Sequence, residues 1–330
     1  MKKILRTGII IIVILALFTL IGCEKDPNIK RFTIGTAGTA GALYPMGVAM
    51  AECITKRAEG FSATGEATAA SVENLRNLHN GTMGWGISQT EVASLAYNGR
   101  GDYEDNAYTD IRALFSTINN YLQIFVRADS DITSVADFNG KTIGVGASGS
   151  GGEMAARILL EGFDMDYDDI NPQFLPETEA VSALKDGTID GFIATHPLKS
   201  AAMVDLTTSI EARLLPANDR FYELNPAYSK YTVPVGTYNN IDEEVEIPKS
   251  RIIMCTSTNA GFTDDEIYRL VKAIWEYRDD WANTNATIQS QVVLETALDE
   301  IDIPLHPGAV RYFEEKGMTI PDALRPPQGT

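Results

Sequence analysis

One kind of unit occurs twice in this chain: a short apolar run, a loop of glycine and small hydroxyl residues, and a helical pattern. The first loop is GTAGTAGALYP, from Gly35 to Pro45, and the second is GVGASGSGGEM, from Gly144 to Met154. Such loops leave backbone N–H groups exposed at a helix N-terminus, where the helix dipole adds partial positive charge. The repeat predicts two anion-binding loops, although a tight turn that only packs a helix on its strand is the alternative for each.

The rest of the chain alternates short β-like runs with helical patterns, which predicts an α/β fold with a largely parallel sheet. The length of 330 residues and the 44% apolar composition favour two folding units, or one fold of two lobes. Because no linker rich in Pro, Gly or Ser separates the two sets of elements, we expect the chain to cross between lobes more than once. Ligands of open α/β sheets bind outside the C-terminal strand ends, so the predicted site is the cleft.

Two helix starts are indicated by single residues. Ser71 precedes the helical pattern VENLRNLHN, and we expect its side chain to cap that helix. Thr263 and Glu266 have the spacing of a capping box at the start of another helix.

The N-terminus has the layout of an export signal, with Lys2, Lys3 and Arg6 before an uncharged apolar run from about Ile9 to Leu20. This run is short for a membrane span, although a tilted anchor is an alternative. The sequence LIGC, which ends at Cys23, resembles the lipobox of bacterial lipoproteins. We therefore predict a signal peptide over residues 1–22, lipidation of Cys23 and a polar tether over residues 23–31; an ordinary signal with a chance cysteine is the alternative.

Charge and cysteine content limit the possible partners. Without residues 1–22 the chain has 24 Lys and Arg against 45 Asp and Glu, a net charge near −21, so nucleic acid is not an expected partner. Cys53 and Cys255 each lie in an apolar segment, which favours buried free thiols, although export would permit a disulfide.

The second loop matches a dinucleotide-binding pattern by letter, through Gly144, Gly146 and Gly149. The acidic residue that such a site needs at the end of the next strand is missing, because Asp168 lies in the turn-like DMDYDD. An exported protein also meets little nicotinamide cofactor. We expect no cofactor, and the loop is interpreted as an anion cradle.

Other chemistry has weaker support. DMDYDD resembles the start of a calcium loop, but Asp169 replaces the required glycine and Leu175 the required glutamate. The three histidines lack metal-ligand spacing, and no G-x-S-x-G pattern occurs. We therefore expect neither a metal site nor catalysis.

Seven blocks of the chain closely resemble, in order, the TAXI branch of solute-binding proteins of tripartite ATP-independent periplasmic (TRAP) transporters. The blocks are IGTAGTAGALYPMGVAMA, SVENLRNLHNG, GISQTEVASLAYNG, LQIFVRADSDITSVADFNGKTIGVGASGSGGEMAARILLE, ALKDGTIDGFIATHP, VPVGTY and LDEIDIPLHPGAVRYFEEKG. The resemblance implies an α/β, two-lobed type II periplasmic-binding-protein fold with a hinge and a central ligand cleft. Lobe I would comprise residues 32–122 and 237–330, and lobe II residues 123–236.

The resemblance also implies a function: a monomer, anchored by lipid on the extracytoplasmic side, would bind glutamate, glutamine, a dicarboxylate or a similar small carboxylate and deliver it to a TRAP permease. A sensor lipoprotein that docks on a receptor, or an enzyme on the same fold, would be the alternatives. The ligand contacts implied by the matching blocks are Gly38, Thr39, Tyr44, Ser71, Gln89, Ser148, Gly149, Ser150, Gly151, Thr195, His196 and Tyr238. Two residues depart from the family pattern: Leu43 precedes Tyr44, and Lys199 lies near the site.

We expect Cys23→Ser to abolish lipid attachment, because the lipid is joined through the thiol, whereas Cys53→Ser should leave attachment intact. Intact-mass measurement of protein extracted from membranes checks this: the wild type should lack residues 1–22 and carry a diacylglycerol. A Cys23→Ser protein that carries the same added mass would contradict the prediction.

Overall fold

The computed structural model describes residues 27–39 and 41–327. The predicted signal peptide, Cys23 with its predicted lipid, and residues 24–26 of the predicted tether lie outside the described residues, so they stay predictions. Within the two described ranges, no helix is long and apolar enough to cross a membrane.

The first elements bring the chain from its start to a long central strand. They are β1 (Lys30–Gly35), α1 (Leu43–Arg57), β2 (Phe61–Glu66), α2 (Ser71–His79), β3 (Trp85–Gln89), α3 (Thr90–Asn98) and β4 (Ile111–Arg127). We call β1 to β3 with α1 to α3 the first half.

A second set of alternating elements follows β4. It comprises β5 (Thr142–Gly144), α4 (Gly151–Glu161), β6 (Asn171–Gln173), α5 (Glu177–Lys185), β7 (Gly191–His196), α6 (Ala201–Ser209), β8 (Ala212–Leu215) and α7 (Asp219–Leu224). We call this set the second half. Two strands then return the chain to the first half: β9 (Ser229–Val233) and β10 (Val245–Ser257).

The C-terminal region packs on the first half as helices. They are α8 (Asp264–Glu276), α9 (Asp279–Ala282), α10 (Ala286–Gln291) and α11 (Pro307–Glu315). Short 3₁₀ turns cover Gly101–Tyr103, Val135–Phe138, Thr258–Ala260, Leu294–Thr296 and Asp322–Leu324.

The strands form one mixed sheet in the order β2-β1-β3-β10-β4-β7-β5-β6, with β8 against β4 and β9 against β10. The pairings among β1, β2 and β3, and those among β5, β6 and β7, are parallel. Every pairing of β4 or β10 with another of these strands is antiparallel. The prediction of a largely parallel sheet is therefore wrong at the centre, because an apolar run does not reveal the direction in which its strand pairs.

Strand β4 joins the two halves. Its residues 111–121 pair with β10, whereas residues 121–127 pair with β7 and β8. Nearly all of its 17 side chains are buried, although in the sequence the polar pair Asn119-Asn120 separates two apolar stretches of the strand. The predicted lobe boundary between Leu122 and Gln123 falls inside β4, and the lobe ranges stay a prediction.

Aromatic rings are prominent in two buried apolar clusters. In the larger, Phe115 packs edge-on against Trp85 and Trp275, with ring centroids 6.1 and 5.5 Å apart. In the smaller, Phe125 packs against Phe192 and Tyr238 at 5.7 Å from each. Burial of each large apolar side chain stabilises the fold by roughly 1.5–3 kcal/mol. The two clusters therefore stabilise the strands from which the loops of the site extend.

Two further predictions are confirmed. Cys53 and Cys255 are separate, buried thiols, and burial raises the pKa of Cys53 to about 11. The capping box is present at the start of α8: Thr263 Oγ1 accepts from the Glu266 N–H at 3.2 Å, and Glu266 Oε2 accepts from the Thr263 N–H at 2.8 Å.

A buried histidine caps α11. Nδ1 of His306 accepts a hydrogen bond from the Gly308 N–H at 3.1 Å, and the residue is only 4% exposed. Desolvation lowers the pKa of His306 to about 4, against a partial offset from Asp264. Protonation of Nδ1 would also remove the acceptor that caps the helix.

We expect His306 to make the protein less stable in acid. Its folded pKa lies below the unfolded value of about 6.5, so only the unfolded chain binds the proton between those two values, and stability is lost as pH falls from about 6.5 to 4. The loss is roughly 2–3 kcal/mol relative to His306→Asn, which keeps a capping acceptor without titrating. Urea unfolding of both proteins at several pH values measures their free energies of unfolding. If these free energies depended on pH in the same way for both proteins, the prediction would be refuted.

Candidate functional site

The two glycine-rich loops lie at the carboxyl ends of strands, where open α/β sheets bind ligands. The first follows β1, and the second follows β5 and leads into α4. Gln89 at the end of β3 and Thr195 near the end of β7 come from different halves and are in direct contact. The candidate site is therefore a junction between the halves.

The side-chain amide of Gln89 bridges the halves. Its nitrogen and oxygen are assigned so that donors face acceptors. The nitrogen then donates to Glu91 Oε1 at 2.7 Å and to the Gly151 carbonyl at 3.1 Å, while the oxygen accepts from Thr195 Oγ1 at 2.7 Å. One buried amide thus contacts both strand ends and the start of α4.

Ser71 is hydrogen-bonded to the backbone of Gln89. The expectation that its side chain caps α2 is wrong: Ala70 is the N-cap, and Ser71 Oγ accepts from the Gln89 N–H at 3.0 Å. Ala70 has a φ of 72°, a conformation that residues with a Cβ rarely adopt and that often marks functional sites. The N–H groups of Ser71 and Val72 have no acceptor in the part of the chain that the structure describes.

Gly151 allows the halves to approach closely. A Cβ atom at this position would lie 2.6 Å from Ser71 Oγ and 2.8 Å from Gln89 Cδ, which is closer than real Cβ contacts. Ser71, Gln89, Gly151 and Thr195 thus lie together in the structure, and we call these four residues the bridging cluster. Whether they bind a ligand stays a prediction.

The second loop presents the start of α4 to the cluster. Ser150 is the N-cap, and its Oγ accepts from the Glu153 N–H at 3.1 Å. Gly146 and Gly149 have φ values of 89° and 73°, which favour glycine. The N–H groups of Gly151 and Gly152 have no acceptor among the described residues. Free donors at a helix start suit an anion.

His196 is the last residue of β7, and Tyr238 lies in the connection between β9 and β10. His196 Nε2 is 3.2 Å from Glu177 Oε2, and desolvation lowers its pKa more than Glu177 raises it. The Tyr238 hydroxyl donates to Gln123 Oε1, and Gln123 Nε2 donates to the His196 carbonyl at 3.1 Å. Tyr238 is buried, so its contacts position β7 rather than expose its hydroxyl to the cluster.

Other predicted contacts stand apart from the bridging cluster. Gly38, Thr39 and Ser148 are exposed, and Tyr44 is half-buried. Among the described residues, none of these four forms a side-chain hydrogen bond to the cluster. Lys199 is exposed and has a φ of 58°, and its N–H donates to the Tyr238 hydroxyl at 3.1 Å.

Glu91, in the first turn of α3, was not among the predicted site residues. Glu91 is 2% exposed on α3, and desolvation raises its pKa to about 7. Because acidic residues are common in the first turn of a helix, the position of Glu91 in the sequence did not indicate that it is buried. The apolar surroundings GIS and VASLA are the signal that could have shown it.

A surface cavity lies away from the bridging cluster. It measures about 600 Å³ and is lined by Arg157, Arg220 and the residues of the turn 164–168. Both arginines already form ion pairs, Arg157 with Glu153 and Arg220 with Asp164. This open groove therefore offers no free cation to an anionic ligand, and the junction between the halves is the better candidate.

Comparison with known proteins identifies the fold. The model of the NMT1-like family matches residues 34–317. A binding protein component of an ABC phosphonate transporter from Pseudomonas aeruginosa is similar at 11% identity over 82% of this chain and 83% of that one, with a TM-score of 0.52. A Xanthomonas citri protein bound to ATP is similar at 13% identity over 86% and 94%, with a TM-score of 0.53. The predicted α/β fold of periplasmic binding proteins is confirmed.

We expect Gly151→Ala to hold the halves apart, because the added methyl group overlaps Ser71 and the Gln89 amide. Small-angle X-ray scattering should give a larger radius of gyration than for the wild type. Gly41→Ala is the matched control, since nothing lies within 4 Å of a Cβ there. Equal radii for all three proteins would show that the contact at Gly151 does not set the distance between the halves.

Proposed function

The chain belongs to the NMT1-like family, and from this premise we propose that it is an extracytoplasmic solute-binding lipoprotein. In this proposal it captures a small carboxylate between the two halves and delivers it to a TRAP permease. The fold that it shares with a binding component of an ABC transporter supports the binding role.

The observation that carries the proposal is the bridge made by Gln89. Its amide reaches Thr195 and the Gly151 carbonyl of the second half from a strand end of the first half. A ligand between such elements has polar partners on both sides. Because bound ligand would contact both halves, binding would favour the arrangement in which they are close together.

The free backbone donors support a carboxylate as the ligand. The N–H groups of Ser71, Val72, Gly151 and Gly152 lack acceptors among the described residues and come from two helix starts on opposite sides of the junction. Helix N-termini bind anions through such donors without a cationic side chain. Phosphonates and sulfonates share this chemistry, so they belong in the test.

The partner and the anchor rest on the sequence. The seven TAXI-like blocks support a TRAP permease, and the fold shared with an ABC transporter component makes an ABC permease the second candidate. The lipobox at Cys23 supports a membrane-attached protein on the extracytoplasmic side. No chemical step is assigned to the protein.

We expect small carboxylates to stabilise the full-length protein purified in detergent. A ligand at a hundred times its dissociation constant adds about 2.7 kcal/mol, which raises the melting temperature by about 4 °C or more. Thermal-shift measurements against amino acids, dicarboxylates, phosphonates and sulfonates check this. Gln89→Ala should abolish the shift, whereas Gln173→Ala, at an exposed position of β6, should retain it.

The outcomes separate the parts of the proposal. A shift caused only by phosphonates or sulfonates would contradict the carboxylate, and the absence of any shift would contradict solute binding. A shift that survives Gln89→Ala would place the ligand away from the junction.

A further inference from the structure

Glu91 is a buried carboxylate that has no cationic partner in the described ranges of the chain. Its Oε1 accepts from the Tyr228 hydroxyl at 2.7 Å and from the Gln89 amide at 2.7 Å. Its Oε2 is buried and has no hydrogen-bond partner among the described residues. Lys249 and Arg251, the cations of the neighbouring strand β10, are paired with Glu300 and Asp299. One carboxylate oxygen is therefore left unsatisfied directly beside the bridging cluster.

Two more unsatisfied polar atoms lie on the adjacent strands. Ser250 on β10 and Asn120 on β4 are directly paired and are 0% and 2% exposed. Ser250 Oγ and Asn120 Nδ2 have no partner within the described residues. Ser250 is close enough to Glu91 to offset part of the rise in its pKa, although the two side chains do not meet the geometry of a hydrogen bond.

The strand register places these two atoms on the same face of the sheet as the side chain of Thr195. Directly paired residues of antiparallel strands project from the same face, and residues two apart along a strand share that face. Ser250 pairs with Asn120, and Thr195 pairs with Leu122, two residues further along β4. Ser250 and Asn120 thus lie on the face where Thr195 contacts Gln89.

We propose that Glu91 and Ser250 bind a primary ammonium group of the ligand, so that the cleft takes an amino acid in preference to the same acid without its amino group. This rests on the proposed function and specifies its ligand class. A buried carboxylate is expensive unless it is paired and hydrogen-bonded, and an ammonium supplies both the charge and donors for Glu91 Oε2 and Ser250 Oγ. Asn120 Nδ2 offers a donor to an oxygen of the same ligand. A buried water molecule would leave the charge of Glu91 uncompensated.

Calorimetry on the full-length protein in detergent, at slightly alkaline pH where Glu91 is ionised, tests the proposal. The probes are matched pairs: L-glutamate with glutarate, L-aspartate with succinate, and L-leucine with 4-methylpentanoate. For at least one pair, the wild type should bind the amino acid about tenfold or more tightly than its partner, as expected for a hydrogen bond between charged groups. Glu91→Gln should reduce that ratio to about threefold or less.

Two further variants control for general damage. Glu179→Gln neutralises an exposed carboxylate of α5 and should keep the wild-type ratio. Ser250→Ala should weaken the amino acid more than its partner, which keeps the test decisive if Glu91→Gln does not fold. Equal affinity within every pair for the wild type, or an unchanged ratio in both Glu91→Gln and Ser250→Ala, would overturn the ammonium site. Failure of every carboxylate to bind would instead overturn the proposed function.

Proton release gives a second readout. Burial and, more weakly, Glu300 raise the pKa of Glu91, whereas its own backbone N–H, Tyr228 and Ser250 oppose the rise. A cation beside the carboxylate lowers its pKa, so amino-acid binding at about pH 6 should release a proton. Calorimetry in two buffers with different ionisation enthalpies measures this release. It should be absent in Glu91→Gln, and its absence in the wild type would count against the site.

Discussion

The antiparallel pairing of β4 with β10 holds the two halves in one sheet. Residues 111–121 of β4 are bonded to β10, and the rest of β4 continues into the second half to pair with β7 and β8. The carboxyl ends of β3 and β7 consequently meet, and Gln89 contacts Thr195. The position of the candidate site thus follows from the path of two strands in addition to the chemistry of the loops.

The junction combines close packing with unsatisfied polar groups. Gly151 leaves no space for a side chain beside Ser71 and Gln89, while Glu91, Asn120 and Ser250 each keep a buried polar atom without a partner in the described structure. Buried polar groups are normally paired. A surface that packs tightly yet leaves such atoms free is better suited to a polar ligand than to permanent contact between the halves.

Much of the local structure could be predicted from the sequence, because short-range signals specify it. The helices that follow both glycine-rich loops, the capping box at Thr263 and the buried thiols all depend on neighbouring residues or on simple apolar patterns. The sequence could not show that β4 is continuous, because the polar pair Asn119-Asn120 separates its two apolar stretches. It also could not show that Ser71 bonds to Gln89, because that contact joins residues 18 positions apart. Glu91 was missed for a related reason: its burial arises from β10, far away in sequence.

In the proposed function, ligand binding brings the two halves together. Spin labels at Arg76→Cys on α2 and Ser182→Cys on α5, both exposed, report the distance between the halves by pulsed electron resonance. The buried Cys53 and Cys255 should stay unlabelled. We predict a broad distribution of label-to-label distances without ligand, and a narrower distribution with a shorter mean distance at saturating ligand. The same distribution in both conditions would contradict it.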